Sequence, residues 1–554
     1  MKIAILSSFT VKNILPQLKE VVSSLGFSAT FYEGNYNQYV QEILDKQSSY
    51  WKFSADITFI FIDPESIFGD DIYNSVFLDE NTTGKLVYSK ICMFKSLMNS
   101  ISDSNIVISN LYRFAETPLY YFGRASPQGP VALIDKFNFE LRSLLASKSH
   151  AFLLDIHHLS SVFGIRNITD SRLKYLGSIN FTNDFCKVVS AECGRIIRAM
   201  YGISKKCLIV DLDNTLWGGV VGEDGPEGIS IGTVFPGNVF LDVQKYLKSL
   251  KQRGILLAVC SKNNMDDVEK AFTTSGMVLS LSDFVSIRAN WDPKTDNIAS
   301  IASELNIKTD SIVFLDDSPH ERALVKEFMP EVEVVDFPEN IEELPATLYS
   351  LHFFETKAIT EEDKKKTVLY HHERERDKDK KQFNSVEDFL KNLNIQICIE
   401  PISDKNIKRA FQLVNKTNQF NLRTIRYTED ELTKIVNSPK YCSFTLFVRD
   451  KFGDYGQTGI AIFKDEGNNY FLENYLLSCR ILSKKIEFAF LSRCIELLPK
   501  HIPLRGEFIQ TPKNVPSINF LTEFGLEKNA EGIMIINDPL TCGKEIPFIG
   551  GYDR

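Results

Sequence analysis

The segment CLIVDLDNTLWGG, residues 207–219, decides the fold at the centre of the chain. An apolar run ends there in two aspartates one residue apart, Asp211 and Asp213, where a buried strand would end. Two carboxylates so close together repel each other unless a cation or a shared proton separates their roles. Such a pair can supply a nucleophile and a general acid and base beside Mg²⁺. By itself the segment also fits a strand that ends in an Asx turn.

Three later segments favour the catalytic interpretation. GILLAVCSKNN is a second apolar run, and it ends at Ser261, whose hydroxyl could hold a phosphate oxygen. WDPKTDN contributes Lys294, and SIVFLDDSPHE ends a third apolar run in Asp316 and Asp317. Because the carboxyl ends of parallel strands meet at one edge of a sheet, we expect all these side chains to converge there.

In type and order these segments resemble the motifs of the haloacid dehalogenase superfamily of phosphohydrolases. The resemblance implies that Asp211 attacks phosphorus to form an aspartyl-phosphate. Asp213 would protonate the leaving group and later activate water. Thr215, Ser261 and Lys294 would bind the oxygens of the transferred phosphoryl group.

The same resemblance implies a Mg²⁺ cofactor. Its ligands would be Asp211, the backbone carbonyl of Asp213, and Asp316, with Asp317 at or next to the ligand sphere.

The wider context resembles one branch of that superfamily, the FkbH-like proteins of subfamily IIIC. The likeness lies in DLDNTLWGGVVGEDGPEGISIG, LAVCSKNN and FLDDSPHERALV, and continues in NKTNQFNLRTIRY and FGDYGQTG. It implies a glyceryl-transferring phosphatase of polyketide-type or related biosynthesis, with 1,3-bisphosphoglycerate as the small phosphorylated C3 substrate. The acyl group would pass to a protein cysteine, lose its remaining phosphate, and move to the phosphopantetheine arm of an acyl carrier protein. The alternative is a plain phosphatase that acts on a sugar or polyol phosphate in a surface-glycan or secondary-metabolite pathway.

Cys260 is the cysteine that we expect to carry the acyl group, because it directly precedes Ser261. Neighbouring side chains of a strand face opposite ways, so both reach one pocket only if the strand has already ended. Bound Mg²⁺, Lys262 and Lys294 would lower the pKa of a nearby thiol. Cys207 and Cys479 are the other candidates. A buried cysteine that only packs as a small apolar side chain is the competing interpretation.

The first segment, residues 1–190, alternates strand-like runs with helical patterns and predicts an α/β domain. Asp155 and His158 have a spacing that resembles the Asp and His of SGNH hydrolases, with Ser7 or Ser8 as a possible nucleophile. The Gly-Asp that precedes the serine in that family is absent. A catalytically silent SGNH-like domain is therefore favoured over a working hydrolase.

Residues 205–345 predict the phosphatase-like α/β domain, a Rossmannoid core. The stretch between Asp213 and Ser261 has room only for a hairpin-like flap and one amphipathic helix, so no large cap domain is expected. Residues 346–383 carry dense mixed charge and predict a solvated helical linker rather than a basic arm that binds a partner.

Residues 384–554 resemble a GNAT-type α+β acyltransferase fold. The acyl-pantetheine loop of that fold would fall on Arg480 to Lys485. Ser483 and Lys485 stand at its two glycine positions, where a side chain hinders close approach to a pyrophosphate. We therefore expect substrate or carrier docking here rather than acetyl-CoA chemistry.

Composition sets outer bounds on these predictions. The chain has 554 residues, 44% hydrophobic and 24% charged, as expected for a globular protein of several domains. Its net charge of -9 argues against nucleic acid as a general partner. No apolar run reaches the roughly 20 residues of a membrane span, and the N-terminus lacks the pattern of a signal peptide. Ten cysteines without metal-binding spacing complete the prediction of a cytoplasmic protein with reduced thiols and no membrane partner.

Overall fold

The structure is a computed structural model with two compact units. It describes residues 1–101, 104–148, 150–273, 276–357, 359–380, 383, 385–482, 484–511, 514–528, 534–540, 546 and 549–552. The first unit comprises residues 1–200 and 428–431, and the second comprises residues 201–427 and 432–554.

Nineteen strands are present in these ranges. They are β1 (Lys2–Ser7), β2 (Thr30–Glu33), β3 (Ile57–Phe61), β4 (Asn105–Ser109), β5 (Ala151–Leu154), β6 (Cys207–Val210), β7 (Leu256–Ser261), β8 (Ser286–Ala289), β9 (Ile312–Leu315), β10 (Glu333–Val334), β11 (Ile395–Pro401), β12 (Phe420–Asn421), β13 (Tyr441–Asp450), β14 (Gly453–Asp465), β15 (Tyr470–Leu477), β16 (Leu504–Gly506), β17 (Glu527–Lys528), β18 (Met534–Ile536) and β19 (Ile549–Gly551).

The helices in the same ranges are α1 (Ile14–Ser24), α2 (Tyr39–Leu44), α3 (Ser49–Phe53), α4 (Pro64–Phe68), α5 (Asp71–Asn74), α6 (Glu80–Ser100), α7 (Tyr120–Ala125), α8 (Pro130–Ala146), α9 (Ile156–Phe163), α10 (Ser171–Gly177), α11 (Asn183–Met200), α12 (Val221–Asp224), α13 (Gly237–Gln252), α14 (Met265–Ala271), α15 (Lys294–Glu304), α16 (Pro319–Phe328), α17 (Leu344–Tyr349), α18 (Glu361–Lys364), α19 (Lys366–Lys380), α20 (Val386–Asn392), α21 (Ile407–Lys416), α22 (Glu429–Val436), α23 (Ile486–Glu496) and α24 (Phe520–Phe524). In the part of the chain that the structure describes, none of them is both long and apolar enough to cross a bilayer.

The first unit is built on a five-stranded parallel sheet of order β2-β1-β3-β4-β5. Two of its inner strands, β3 and β4, are mostly apolar and are buried along their whole length, as a sheet covered on both faces requires. Helices α6 and α8 supply Phe94, Leu133 and Phe137 to the core over one face. Helix α11 runs through residue 190, where we place the end of this domain from the sequence, and ends at Met200.

The second unit begins with another five-stranded parallel sheet, of order β10-β9-β6-β7-β8. Alternate residues of β6 enter opposite cores: Leu208 and Val210 pack into one, and Cys207 and Ile209 into the other. Between β6 and β7 the chain forms a short flap, closed by a bridge between Gly218 and Ser230, and then helix α13. The sequence therefore predicted correctly that this segment forms no large cap.

The charged segment is helical, as expected, but it is not a solvated linker. Arg376 of α19 is only 2% exposed, and its Nε lies 2.7 Å from Oδ2 of Asp450 on β13. Tyr370 is also buried, in one of the two cores that cover the parallel sheet of the second unit. The prediction was wrong because charge density alone does not show which residues of a helix find buried partners.

The remainder of the second unit is a nine-stranded sheet. Eight strands follow the order β17-β18-β16-β15-β14-β13-β11-β19, and β12 pairs with β15 off this path. Strands β15 and β16 are parallel neighbours, whereas β13, β14 and β15 form an antiparallel meander.

Candidate active site

Two strand ends and one helix start meet at the carboxyl edge of the second unit's parallel sheet. Asp211 follows β6, Asp316 follows β9, and Lys294 is the first residue of α15. The Lys294 Nζ lies 3.0 Å from Oδ2 of Asp211 and 2.5 Å from Oδ2 of Asp316. All three side chains are buried, so these ion pairs are shielded from water. The structure thus brings together residues that the sequence placed 105 positions apart, from 211 to 316.

The electrostatics of this cluster are dominated by crowded carboxylates. Burial and the charge of Asp211 raise the pKa of Asp316 to about 6, despite the nearby ammonium of Lys294. The same two causes raise the pKa of Asp317 above its ordinary value. Burial disfavours the charged form of Lys294, but Asp211 and Asp316 outweigh it and raise the pKa of that lysine. The site therefore holds an excess of negative charge that one lysine does not neutralise.

The residues present fit a divalent cation. Asp211, Asp316 and Asp317 each offer a carboxylate oxygen, and these oxygens lie within 4.8 Å of one another. Oδ1 of Asp211 is buried and has no hydrogen-bond partner within the described residues. Carboxylate oxygens are the protein ligands that Mg²⁺ prefers. The carboxylate of Asp213 is not part of this group, and a role for its backbone carbonyl remains a prediction.

Asp213 is held in place by three donors. Its Oδ1 accepts hydrogen bonds from the indole N–H of Trp217 at 2.9 Å and from the backbone N–H of Val221 at 3.0 Å. Its Oδ2 accepts one from Nδ2 of Asn263 at 2.9 Å. The sequence did not identify Trp217 or Asn263. The sequence signal for each was its position: Trp217 lies four residues after Asp213, and Asn263 lies two residues after Ser261.

The residues expected to bind phosphoryl oxygens lie in the same place. Ser261 is the last residue of β7, and its Oγ accepts a hydrogen bond from Nδ2 of Asn263 at 3.1 Å. Thr215 is fully buried, and its Oγ1 has no partner within the part of the chain described. A buried hydroxyl without a hydrogen-bond partner costs free energy. The Thr215 hydroxyl is therefore available to bind a ligand oxygen.

Arg322 is a further residue that the sequence did not identify. From α16 its Nη1 donates hydrogen bonds to the backbone carbonyls of Asp316 and Asp317, at 2.8 and 2.6 Å. It therefore fixes the loop that carries two of the three clustered carboxylates. Arg322 lies six positions after Asp316. The first turn of α16 brings its side chain back to the loop, which the sequence spacing alone does not show.

Cys260 lies in the core on the other side of β7 from Ser261. It is fully buried, and its thiol donates a hydrogen bond to the backbone carbonyl of Lys294, with Sγ and O 3.8 Å apart. Burial raises the pKa of Cys260 to about 12 and outweighs the effect of Lys294. Lys262 pairs instead with Glu321, at 2.7 Å. Lys294 alone therefore does not lower the pKa of this thiol below its ordinary value, and the acyl-carrying role stays a prediction.

The other candidate cysteines differ in exposure. Cys207 is fully buried, and burial raises its pKa to about 12. Cys479 is partly exposed and follows β15. The nine described cysteines are all free thiols.

The first unit arranges its polar residues differently. Ser8 is buried, and its hydroxyl donates to Oδ2 of Asp63 at 2.5 Å. Asp155 accepts hydrogen bonds from Asn110 at 2.7 Å and from Arg142 at 2.6 Å, and it caps α9 through the backbone N–H of His158. Asp155 thus contacts the backbone of His158, and Ser8 is bound by a carboxylate. Within the described residues these groups do not form a hydrolase triad.

The GNAT-like loop is only partly visible, since Ser483 lies outside the described residues. Lys485 stands at the N-cap of α23 with a φ of +58°, a conformation that favours glycine. Beside this loop, β12 pairs with Leu476 and Leu477 at the carboxyl end of β15.

A cleft of about 470 Å³ opens beside Asp317. The flap forms one wall with Gly218 and Gly219, and the opposite wall contains Arg322 and Phe337. Gly219 has a φ of +92°, and a Cβ there would lie 2.6 Å from Oδ2 of Asp224, so a side chain would distort the flap. The cleft is open to solvent, and Asp317 of the carboxylate cluster lines it.

A parallel sheet with this carboxylate and lysine cluster at its carboxyl edge defines a phosphohydrolase of the haloacid dehalogenase type. The chain is similar to the N-terminal part of the protein BF1531 from Bacteroides fragilis, which contains a phosphatase domain and was crystallised in complex with Mg. The two are 32% identical with a TM-score of 0.60, over 65% of this chain and 95% of that one. Residues 2–198 match the family model of the FkbH N-terminal domain. The chain therefore belongs to the FkbH-like family, and Mg²⁺ is its cofactor.

Two other solved structures show weaker likeness. A lipase/acylhydrolase from Enterococcus faecalis is 12% identical with a TM-score of 0.26, over 36% of this chain and 95% of that one. The ribosomal-protein-S18-alanine N-acetyltransferase from Escherichia coli is 15% identical with a TM-score of 0.21, over 26% and 94%. No conclusion follows from likeness at this level. A comparison with curated protein sequences found no match.

Proposed function

We propose that this protein takes the acyl group of 1,3-bisphosphoglycerate onto a cysteine, removes the remaining phosphate, and transfers the glyceryl unit to an acyl carrier protein. The observation that supports this proposal is the cluster of Asp211, Lys294 and Asp316 at one sheet edge. The Thr215 hydroxyl, four residues after Asp211, has no hydrogen-bond partner in the described residues. The glyceryl substrate and the carrier come from the family to which the chain belongs. The phosphatase step comes from the geometry.

In the phosphatase step, Oδ1 of Asp211 attacks phosphorus, and the bond from phosphorus to the C3 oxygen breaks. Asp213 donates a proton to that oxygen, oriented by Trp217 and Asn263. Asp213 then removes a proton from the water that hydrolyses the aspartyl-phosphate. Thr215, Ser261 and Lys294 hold the phosphoryl oxygens, which carry the charge of the transition state.

The cofactor would be held by Asp211, Asp316 and Asp317, together with the backbone carbonyl of Asp213. Bound there, Mg²⁺ supplies positive charge that offsets the crowded carboxylates and the phosphoryl oxygens.

The acyl steps require a thiol. Its thiolate attacks the C1 carbonyl, the bond to the C1 phosphate oxygen breaks, and inorganic phosphate leaves. After the distal phosphate has been removed, the pantetheine thiol of the carrier attacks the thioester and releases the cysteine. Cys260 stays our first candidate because it neighbours Ser261 and contacts the backbone of Lys294. Since this thiol is buried, its acylation requires movement at the start of α15.

The open cleft supports a macromolecular partner. The flap and α13 are the elements between β6 and β7, so nothing inserted there encloses the site. A pantetheine arm about 20 Å long needs such access, because its carrier domain stays outside. The runner-up, a plain phosphatase acting on a sugar or polyol phosphate, is favoured by one observation: the Cys260 side chain is fully buried.

The outer regions are assigned supporting roles. The first unit is proposed as an SGNH-like domain without catalytic activity, because Ser8 and Asp155 have other partners. The GNAT-like region is proposed to dock the substrate or carrier. Strand β12 covers the end of β15 near the loop at Arg480, which speaks against acetyl-CoA chemistry. The free cysteines accord with a cytoplasmic location.

Intact-protein mass spectrometry after mixing with 1,3-bisphosphoglycerate tests the proposal. The wild-type protein should gain a glyceryl adduct, and Asp211→Asn should accumulate an adduct heavier by one phosphate. Cys260→Ala should form neither, yet should still cleave a simple phosphomonoester. Phosphate release without any adduct would select the plain phosphatase, and an adduct on Cys260→Ala would move the acyl group to another cysteine such as Cys479.

A further inference from the structure

A second group of charged side chains lies in the second unit, outside the active site. It lines a cavity that we call the basic cavity, defined by Lys206, Lys366, Arg409, Lys416 and Arg480. Among the described residues, eight lysines and arginines line it against two aspartates. Such an excess of one sign in a partly enclosed space attracts anions strongly.

The basic cavity lies at the opposite edge of the sheet from the active site. Lys206 directly precedes β6, and Ser311, which also lines the cavity, directly precedes β9. Asp211 and Asp316 directly follow the same two strands. Five residues of extended chain separate Lys206 from Asp211, a distance of roughly 16 Å. The two sites are therefore separate, and a ligand of one does not fill the other.

Three lysines and one arginine of the basic cavity are poorly compensated. The ammonium groups of Lys206, Lys366 and Lys416 have no hydrogen bond or ion pair with any described residue. The Nη1 of Arg480 is buried and has no hydrogen-bond partner in the same ranges. Asp363 faces these groups, but its Oδ2 accepts a hydrogen bond from Gln412 at 2.8 Å, and its Oδ1 lies 3.9 Å from Arg409.

The pKa values reflect this imbalance. Burial, followed by Lys416, lowers the pKa of Lys366 to about 7. Asp363 opposes this shift, and Lys206 and Arg409 add to it. Burial also lowers the pKa of Lys416, and nearby Arg409 adds to the effect. Burial alone would raise the pKa of Asp363, but Lys416 and Arg409 reverse this and bring it to about 2. Burial among like charges lowers the pKa of the two lysines, and the surrounding cations lower that of Asp363.

We infer that the basic cavity binds the phosphate or diphosphate group of a small molecule. It has about 100 Å³ open to the centres of water molecules, room for several waters or one such group. Arginine and lysine donors suit phosphate oxygens, and buried charge-assisted hydrogen bonds of this kind are strong. The group fits as free diphosphate or as the diphosphate end of a cofactor such as coenzyme A.

Calorimetry and thermal melting with inorganic pyrophosphate, in chelator and without Mg²⁺, test this inference. The wild-type protein should bind pyrophosphate saturably and melt at a higher temperature in its presence. Asp211→Asn should do the same, because the active site is not involved. Lys366→Met and Lys416→Met should each weaken binding about tenfold or more. Without ligand both should melt no lower than wild type, since each loses an unpaired cation.

Lys440→Met is the matched control, because Lys440 is exposed and does not line the basic cavity. It should bind pyrophosphate as wild type does. A parallel titration with coenzyme A separates the two ligand sources. Binding of either ligand that depends on Lys366 and Lys416 supports the inference. The ligand that binds more tightly identifies the natural source as free diphosphate or the cofactor.

Proton uptake gives an independent readout. Sulfate does not titrate at pH 8, where Lys366 is mostly neutral in the empty cavity. A bound anion raises the pKa of that lysine, so sulfate binding at pH 8 should take up protons, and Lys366→Met should not. Calorimetric titrations in buffers of different ionisation enthalpy measure the number of protons taken up. The inference is overturned if wild type binds neither anion at millimolar concentration, or if both methionine variants bind as tightly as wild type.

Discussion

Two five-stranded parallel sheets in this chain place polar residues at their carboxyl edges, yet in the described residues the carboxylate cluster lies at only one of them. In the first unit the predicted catalytic residues have partners inside the protein: Ser8 with Asp63, and Asp155 with Asn110 and Arg142. In the second unit, Oδ1 of Asp211 and the hydroxyl of Thr215 have none within the described residues. The comparison teaches that residues of the same type at two similar edges differ in bonding capacity: Asp211 and Thr215 have atoms free for a ligand, whereas Ser8 and Asp155 are already bound.

The largest expected effect separates the two carboxylates at equivalent edges, Asp211 and Asp63. Asp211→Asn should lower Mg²⁺-dependent phosphate release by at least about a thousandfold, because an amide is a poor nucleophile and a weaker metal ligand. Asp63→Asn should leave the rate within about twofold, because catalysis does not use the hydrogen bond of Asp63 to Ser8. Steady-state assays of both variants check this. A near wild-type rate in Asp211→Asn would remove that residue from its role.

Lys294 supplies the next largest effect, since it is the cation paired with two carboxylates of the catalytic edge. Lys294→Met should lower kcat/KM by about a hundredfold or more, because it removes a preorganised positive charge from the phosphoryl oxygens. Lys262→Met is the control, as Lys262 lies nearby but pairs with Glu321. Similar losses of kcat/KM in both variants would show that catalysis depends on positive charge near the site in general. The ion pairs of Lys294 would then have no special role.

A smaller effect concerns the orientation of Asp213. Trp217→Phe removes the indole donor to Oδ1 and keeps most of the packing, so kcat should fall about tenfold. The loss should be greater for an alkyl phosphate than for p-nitrophenyl phosphate, because only a poor leaving group needs its proton. Assays with both substrates distinguish positioning from a structural defect, which would slow the two equally.

The smallest effect on catalysis is expected in the first unit. Ser8→Ala and His158→Ala should leave phosphate release unchanged. Ser8→Ala removes a buried hydrogen bond and should reduce the free energy of unfolding by about 1 kcal/mol, measured by denaturation. His158→Ala should not, because the contact of His158 with Asp155 comes from its backbone. A marked loss of phosphate release in either variant would mean that this unit takes part in the chemistry.

The sequence predicted the parts of the site that follow from strand ends. Asp211, Ser261 and Asp316 each end an apolar run, and parallel strands bring such ends together. Strand alternation also predicted that Cys260 and Ser261 face opposite ways, but it could not show that burial would dominate the pKa of the thiol.

What the sequence did not predict depends on tertiary contacts. Trp217 and Asn263 became visible only when their donors were seen to reach Asp213. The cations of the basic cavity come from segments between residues 206 and 480, with no local pattern to join them. The buried pair of Arg376 and Asp450 was likewise hidden in a run of charges.

The flap described above has a mechanical consequence. Trp217 and Val221, both at its base, donate two of the three hydrogen bonds that orient Asp213. Any displacement that carries these residues away from the site also releases the general acid from its working position. The position of the flap and readiness for proton transfer are therefore coupled: the phosphatase step works only while Trp217 and Val221 stay in place.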